Sequence, residues 1–202
     1  MDTPTTFRPN ELEFDVGVYA DRALTVARHL LSILLLPFVM VVLMPRWLTA
    51  SWWDVDTRWA SGEPLTWAAR AIGVAVFAAG FALFAWCVSL FARVGRGTLA
   101  PWDPTRRLVA VGPYRYLRNP MITGVVTMLV GEALVSGSRV LAGWAVTFFA
   151  FNYLYFMLVE EPGLERRFGA DYTAYKSAVP RWLPRSTPWS TEGGDRARRV
   201  KR

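Results

Sequence analysis

The sequence predicts an all-α fold: a multi-pass transmembrane helical bundle of about four spans, with a long cytoplasmic loop and a C-terminal amphipathic helix. Three observations predict it. The 202 residues are 53% hydrophobic, and mean hydropathy is positive at +0.23. The apolar residues gather into four runs that carry few charges. The basic residues, 23 against 16 acidic for a net charge of +7, fall between those runs, mostly on one side. Such hydrophobicity excludes a disordered chain, and 15 Gly with 13 Pro exclude a collagen-like one. Cys87 is the single cysteine, so neither a disulfide framework nor a cysteine-based zinc site is expected. With His29 as the one histidine, no metal site is expected either.

A hydrocarbon core of about 30 Å takes about 20 helical residues. The first span is placed at about 24–48, around the uncharged run 30–44, with a kink expected at Pro37. The second, about 68–92, contains the uncharged run 71–92. Ala71, Ala75 and Ala79 recur along it at helical spacing, a small-residue stripe that lets a neighbouring helix come close. Asn119-Pro120 starts the third span, about 120–138, with Asn as N-cap and Pro in the first turn. Only Glu132 interrupts its apolar run, and an acid at that depth usually faces inward with a partner. A hairpin at Ser136-Gly137-Ser138-Arg139 leads to the fourth span, about 140–161, which ends in Glu160-Glu161-Pro162.

Four spans make residues 24–165 a transmembrane core and put residues 1–23, the loop 93–119 and the C-terminal segment on one side. The stretch before the uncharged run 30–44 (Arg8, Arg22 and Arg28), the loop and the C-terminal segment carry three, six and ten basic residues, 19 of the 23, so that side is cytoplasmic. Trp47, Trp52, Trp53, Trp59 and Trp67 crowd the opposite connection as an interfacial aromatic belt. Residues 166–189, with Phe168, Tyr172 and Tyr175 at helical spacing, form the amphipathic segment. The Arg-rich tail 190–202 is expected to be disordered and to meet anionic lipid heads rather than nucleic acid. Arg outnumbers Lys 21 to 2, which points to a GC-rich bacterial genome.

Chemistry is expected at the cytoplasmic end. The 93–119 loop is dense in Arg, Gly, Pro and Tyr, and long ordered loops are often functional. The start of the third helix offers unpaired N–H groups to an anion. Glu160 and Glu161 stand at the same end, about 100° apart on an ideal helix, so one of the two is expected to face the bundle.

These motifs resemble the isoprenylcysteine carboxyl methyltransferase / phospholipid methyltransferase family of integral membrane enzymes. The resemblance runs over about 95–184. Gly112, Tyr114, Arg118, Asn119 and Pro120 match its first motif. Glu160-Glu161, Phe168-Gly169, Tyr172, Tyr175 and Val179-Pro180 match its second. It implies S-adenosylmethionine as methyl donor and a hydrophobic or lipid-like acceptor, a carboxylate or an amine. It further implies cofactor contacts at Arg106, Arg107, Leu108, Val109, Tyr114, Asn119, Pro120, Met121, Ile122 and Glu160, and catalytic roles for Arg118 and Glu161. An amine acceptor has to lose a proton, with Glu161 or Glu132 as candidate acids to assist. Three positions depart from the pattern. Asn119 replaces His and Ile122 replaces Tyr. Phe156 stands where the prenylcysteine enzymes place a substrate-binding Arg. Two other readings are a membrane protein whose cofactor site has decayed and a membrane NADPH-dependent reductase.

Overall fold

The computed structural model describes residue 35, residues 37–51, 64–94 (side chains to 90), 108 and 110–190. The N-terminal segment 1–23, the start of the first span, the Trp52, Trp53 and Trp59 cluster, most of the Arg-rich loop and the tail beyond 190 lie outside the described residues. The described residues are helical and contain no strand. We number the helices α1 Val39–Ser51, α2 Pro64–Val94, α3 Pro120–Ser136, α4 Arg139–Phe168 and α5 Ala170–Ala178.

Two of them, α2 and α4, are long and apolar enough to cross a membrane. At 17 residues α3 spans about 26 Å. Most of the apolar surface of α2 and α4 faces outward, Ile72, Phe81, Val146 and Phe151 among it. Contiguous exposed apolar surface on this scale marks a protein or membrane interaction face.

The bundle is held together by α3, which lies antiparallel against α2. Gly73 and Gly80 are seven residues apart, two turns along one face of α2; Gly131 and Gly124 are spaced likewise on α3. The pairs meet as Gly73 with Gly131 and Gly80 with Gly124. A Cβ on Gly80 would lie 2.7 Å from the Gly124 carbonyl oxygen, and one on Gly131 would lie 2.6 Å from the Phe77 nitrogen. In lipid the apolar environment is the same inside and outside, so association rests on such close packing. Ala71, Ala75 and Ala79, expected to form the contact face, are exposed. Only glycine lets these two backbones come so near, so the alanine face turns outward. Val125, Met128 and Leu129 of α3 complete the core with Phe84, Val41, Ala145 and Phe148.

Prolines set the shape of α1 and α4. Each contains one π turn, Val39–Leu43 and Phe156–Glu160, and each π turn ends two residues before a proline, Pro45 or Pro162. Within the first turn Met44 N–H bonds back to the Val39 carbonyl. The next bond of that register would run from residue 45 to Met40, but proline has no N–H. The Trp144 indole of α4 donates to that Met40 carbonyl instead, at 3.1 Å. A carbonyl left open in an apolar layer costs several kcal/mol, roughly, so this bond also docks α1. Pro37 is itself helical, and the irregular turn expected there falls at Val39–Leu43, set by Pro45.

The same device keeps α4 helical through Glu160-Glu161-Pro162, where the sequence was expected to end the span. The break comes at Gly169, with φ +52° and ψ −126°, a conformation open to glycine and strained for other residues. At the other end of α4, Gly137 closes α3 in the left-handed conformation, its N–H on the Ala133 carbonyl. The Ser138 side chain then caps α4 through Leu141 N–H.

This packing predicts a contrast between glycines. Gly80→Ala and Gly131→Ala lower the unfolding free energy in detergent by about 1–3 kcal/mol each, through overpacking. Gly143→Ala, which meets nothing within 4 Å, is neutral or slightly stabilising. Thermal melts of the three variants check this.

Candidate functional site

The antiparallel order brings the end of α2, the start of α3, the end of α4 and α5 to one end of the bundle. The chain enters α3 through a 3₁₀ turn, Gly112–Arg115. Gly112 opens it at φ +56°, and a Cβ there would strike Leu90 at 2.6 Å. A C-terminal strap, residues 179–190, crosses this turn. Arg118 N–H donates to the Pro180 carbonyl at 2.9 Å, Arg185 N–H to Tyr116 at 3.0 Å and Trp189 N–H to Arg115 at 2.9 Å. The Arg115 side chain returns a bond from Nε to the Trp189 carbonyl at 2.6 Å. Beneath the strap, Tyr172, Tyr175, Val179 and Trp189 form a second core with Leu108 and Phe168. The Tyr175 hydroxyl donates to the Tyr114 carbonyl at 2.6 Å.

At the centre lies Glu161, whose residue is 3% exposed. Its Oε1 accepts from Arg118 Nη1 at 2.8 Å and from Arg181 Nε at 2.7 Å. Its Oε2 accepts from Arg181 Nη2 at 2.9 Å, and Lys176 Nζ stands 3.2 Å away. One carboxylate therefore joins α4 to the start of α3, to α5 and to the strap. A buried carboxylate needs such partners, because its desolvation costs several kcal/mol, roughly. The Arg181 contact is bidentate, the strongest geometry available to this pair. Lys176 also reaches Glu165 at 2.7 Å, in a half-exposed pair.

Glu160 behaves differently from its neighbour. It is partly buried within the π turn, and no hydrogen bond or ion pair holds it among the described residues. It is near enough to Tyr114 to bear on that phenol's titration. Burial foremost pushes the Tyr114 hydroxyl well above its ordinary range; the neighbouring Cys87, Tyr175 and Glu160 add to the effect. The two acids thus divide: Glu161 is committed to three cations, and Glu160 has no hydrogen bond or ion pair among the described residues. Glu161 is buried and Glu160 half-buried, so neither acid is fully turned out to the surface.

Asn119 occupies the N-cap of α3, but its side chain caps no N–H. Its backbone carbonyl accepts from both the N–H and the hydroxyl of Thr123, at 3.0 and 2.9 Å. Its amide Nδ2 is buried without a hydrogen-bond acceptor among the described residues. Pro120 is buried beside it, while Met121 and Ile122 pack against the apolar core.

Of the residues expected at the site, the structure brings together Tyr114, Arg118, Asn119, Pro120, Glu160 and Glu161, with Leu108 below the strap. Arg106, Arg107 and Val109 lie outside the described residues. Glu132 stands about 18 Å along α3 from Pro120, with its Oε2 buried and without a partner among the described residues. Phe156 packs against Trp182 of the strap, ring centroids 6.0 Å apart. The described residues hold no group of three or more His, Cys, Asp or Glu placed to bind a metal ion. Sequence reasoning missed Lys176 and Arg181 as partners of Glu161, and missed the strap itself.

An apolar helical bundle with two spanning-length helices, carrying a buried acid within a basic cage at one end, defines a membrane-associated helical protein with a polar cluster at its edge. A model of the phospholipid methyltransferase family matches residues 68–171, slightly more than half of the chain, and the chain belongs to that family. Membership implies methyl transfer to lipid-like substrates. Searches of curated proteins and of solved structures give no match.

The cage predicts that Glu161→Gln costs about 3 kcal/mol or more of stability, because two largely buried guanidinium groups lose their counter-charge. Glu165→Gln, which removes a half-exposed pair, costs about 1 kcal/mol or less. Denaturation in detergent, followed through Trp189 and its neighbours, separates the two.

Proposed function

We propose that this chain is an integral membrane methyltransferase that moves a methyl group from S-adenosylmethionine to a hydrophobic or lipid-like acceptor bearing a carboxylate or an amine. The observation that carries the reading is Glu160: a partly buried carboxylate with no described partner, one residue from a carboxylate bound by three cations. The residues present suit the cofactor. Glu160 suits its hydroxyl or ammonium groups. The buried Asn119 Nδ2 donor and the N–H groups that open α3 suit its carboxylate. Tyr114 lies near Glu160, Pro120 is buried beside Asn119, and Leu108 packs under the strap, while Met121 and Ile122 are carried into the proposal from the family pattern. Arg106, Arg107 and Val109 are carried into the proposal from the family pattern.

When bound, the cofactor supplies an electrophilic methyl group on a sulfonium. The protein has to hold an acceptor atom in line with that methyl, about 3–3.5 Å away. Arg118 and Glu161, expected to be catalytic, are assigned a positioning role. Their ion pair fixes the turn into α3 against the end of α4. Both Glu161 oxygens already accept from cationic donors, so they hold geometry rather than take a proton. Glu132 lies too far along α3 to assist at Asn119. An acceptor carboxylate needs no base; an acceptor amine has to reach the site unprotonated, having lost its proton to water, because neither of these acids takes it.

The topology belongs to the same proposal. Four spans place the N-terminus, the basic loop and the C-terminus in the cytoplasm, where a charged cofactor is available. Acceptor and anionic lipid then approach from the bilayer. No nucleic-acid partner is involved, and the membrane is a bacterial cytoplasmic one.

Purified protein in detergent is expected to bind S-adenosylmethionine or its demethylated product by calorimetry. Glu160→Gln weakens that binding by about tenfold or more, the loss of a charge-assisted hydrogen bond, with an unchanged melting temperature. Absence of binding by the wild-type protein contradicts the reading.

A further inference from the structure

The exposed face of α2, on the side away from α3, is a shallow groove. Trp67, Val74 and Phe81 recur every seven residues along one flank of it, and Leu65, Ile72 and Trp86 line the other in the same register. All six are 53–71% exposed. Between these two ridges the floor is alanine. Ala68, Ala71, Ala75, Ala78, Ala82 and Ala85 alternate three and four residues apart, and every one is exposed. A mean spacing of 3.5 residues keeps one seam turned toward a neighbouring helix along its whole length. Gly73 and Gly80, which meet α3, stand on the opposite side of the same helix.

Lipid asks only that such a face be apolar, whereas a small-residue floor is what lets another helix come close. Among the described residues no helix fills it: α1 is docked on α4 through the Trp144 bond to Met40 and through Val41. Three features select a second copy of this chain. Copies of one sequence insert in the same orientation, so two α2 helices run parallel about a two-fold axis and each seam residue meets its own counterpart. Small uncharged residues tolerate that self-pairing, where a charge would meet its like. Arg70, the one charged residue of 64–92, lies outside the seam, its guanidinium 5.4 Å over the Trp67 ring. The six large side chains offer about 500 Å² per copy, so a symmetric pair covers about 1,000 Å², the size at which a specific interface begins.

We propose that this face of α2 is the interface of a parallel homodimer, in which the alanine floors of two copies pack together and the ridges of each copy flank the seam of the other. The proposal stands apart from the methyltransferase reading. The dimer puts two functional ends on one side of the assembly. It also reaches each site directly, because a Cβ on Gly112, in the turn that opens the site, would lie 3.7 Å from the Trp86 indole nitrogen.

The test is disulfide cross-linking in membranes that contain the full chain, with copper phenanthroline as oxidant. Cys87 is fully buried, so the wild-type protein is the silent control. Ala75→Cys and Ala82→Cys each face their counterpart across the axis and are expected to give a product of twice 22.8 kDa. Val146→Cys, 67% exposed on α4, is expected to give none. Ala78→Leu fills the floor and is expected to lower the Ala75→Cys yield about fivefold or more. Helical circular dichroism of the purified variants, expected to equal that of the wild type, shows that the added leucine leaves the fold intact. No doubled product with either cysteine, an equal yield from Val146→Cys, or a yield that Ala78→Leu leaves unchanged overturns the proposal. A cross-linked product of another mass would place a different protein in the groove and overturns it as well.

Discussion

The interaction on which the rest of the functional end depends is the burial of the Glu161 carboxylate among Arg118, Lys176 and Arg181. Each cation comes from a different stretch of chain: the turn before α3, α5 and the strap. Without the carboxylate these three would repel one another; with it they are drawn to one point. The strap then adds its backbone bonds to residues 115–118 and its apolar underside to Tyr172 and Tyr175. Commitment of Glu161 to this cage is also what separates it chemically from Glu160. Two adjacent acids of the same type differ in environment because one is saturated with donors and the other has none among the described residues.

The cage stands at the right place only because the helices beneath it are held in register. The glycine pairs between α2 and α3 bring two backbones into contact and fix the height at which Asn119 starts its helix. The π turn before Pro162 carries α4 past the two acids without breaking it. Each device answers a constraint of an apolar surrounding: backbone groups must be paired within the protein, and helices must be packed without a hydrophobic drive toward each other.

Much of this was legible in the sequence. Apolar run lengths gave the helices, and Asn119-Pro120 and Gly137-Ser138 marked ends where the structure places them. The contact face of α2 was misread. Alanines at four-residue spacing are conspicuous, whereas the meaningful signal was glycine at seven-residue spacing on two segments at once. The end of α4 was misread because proline usually ends a helix, and a π turn has no simple sequence signature. At the site, the motif residues could be named, but not the division of labour between Glu160 and Glu161. That division depends on Arg118 and Arg181, which lie 43 and 20 residues away in sequence. Spacing along a helix cannot report such partners. Trp182 likewise looked like one apolar residue among many until its ring was placed against α4.

The proposed function requires a charged methyl donor and a lipid-like acceptor to meet at one corner, beside Glu160. Its most direct test is transfer itself. Membranes containing the protein are incubated with methyl-labelled S-adenosylmethionine, and the lipid-soluble fraction is extracted and counted. The account predicts label in a lipid-soluble product above that in membranes lacking the protein, and its loss in membranes carrying Glu160→Gln at equal protein level. Equal label in all three membranes would contradict it.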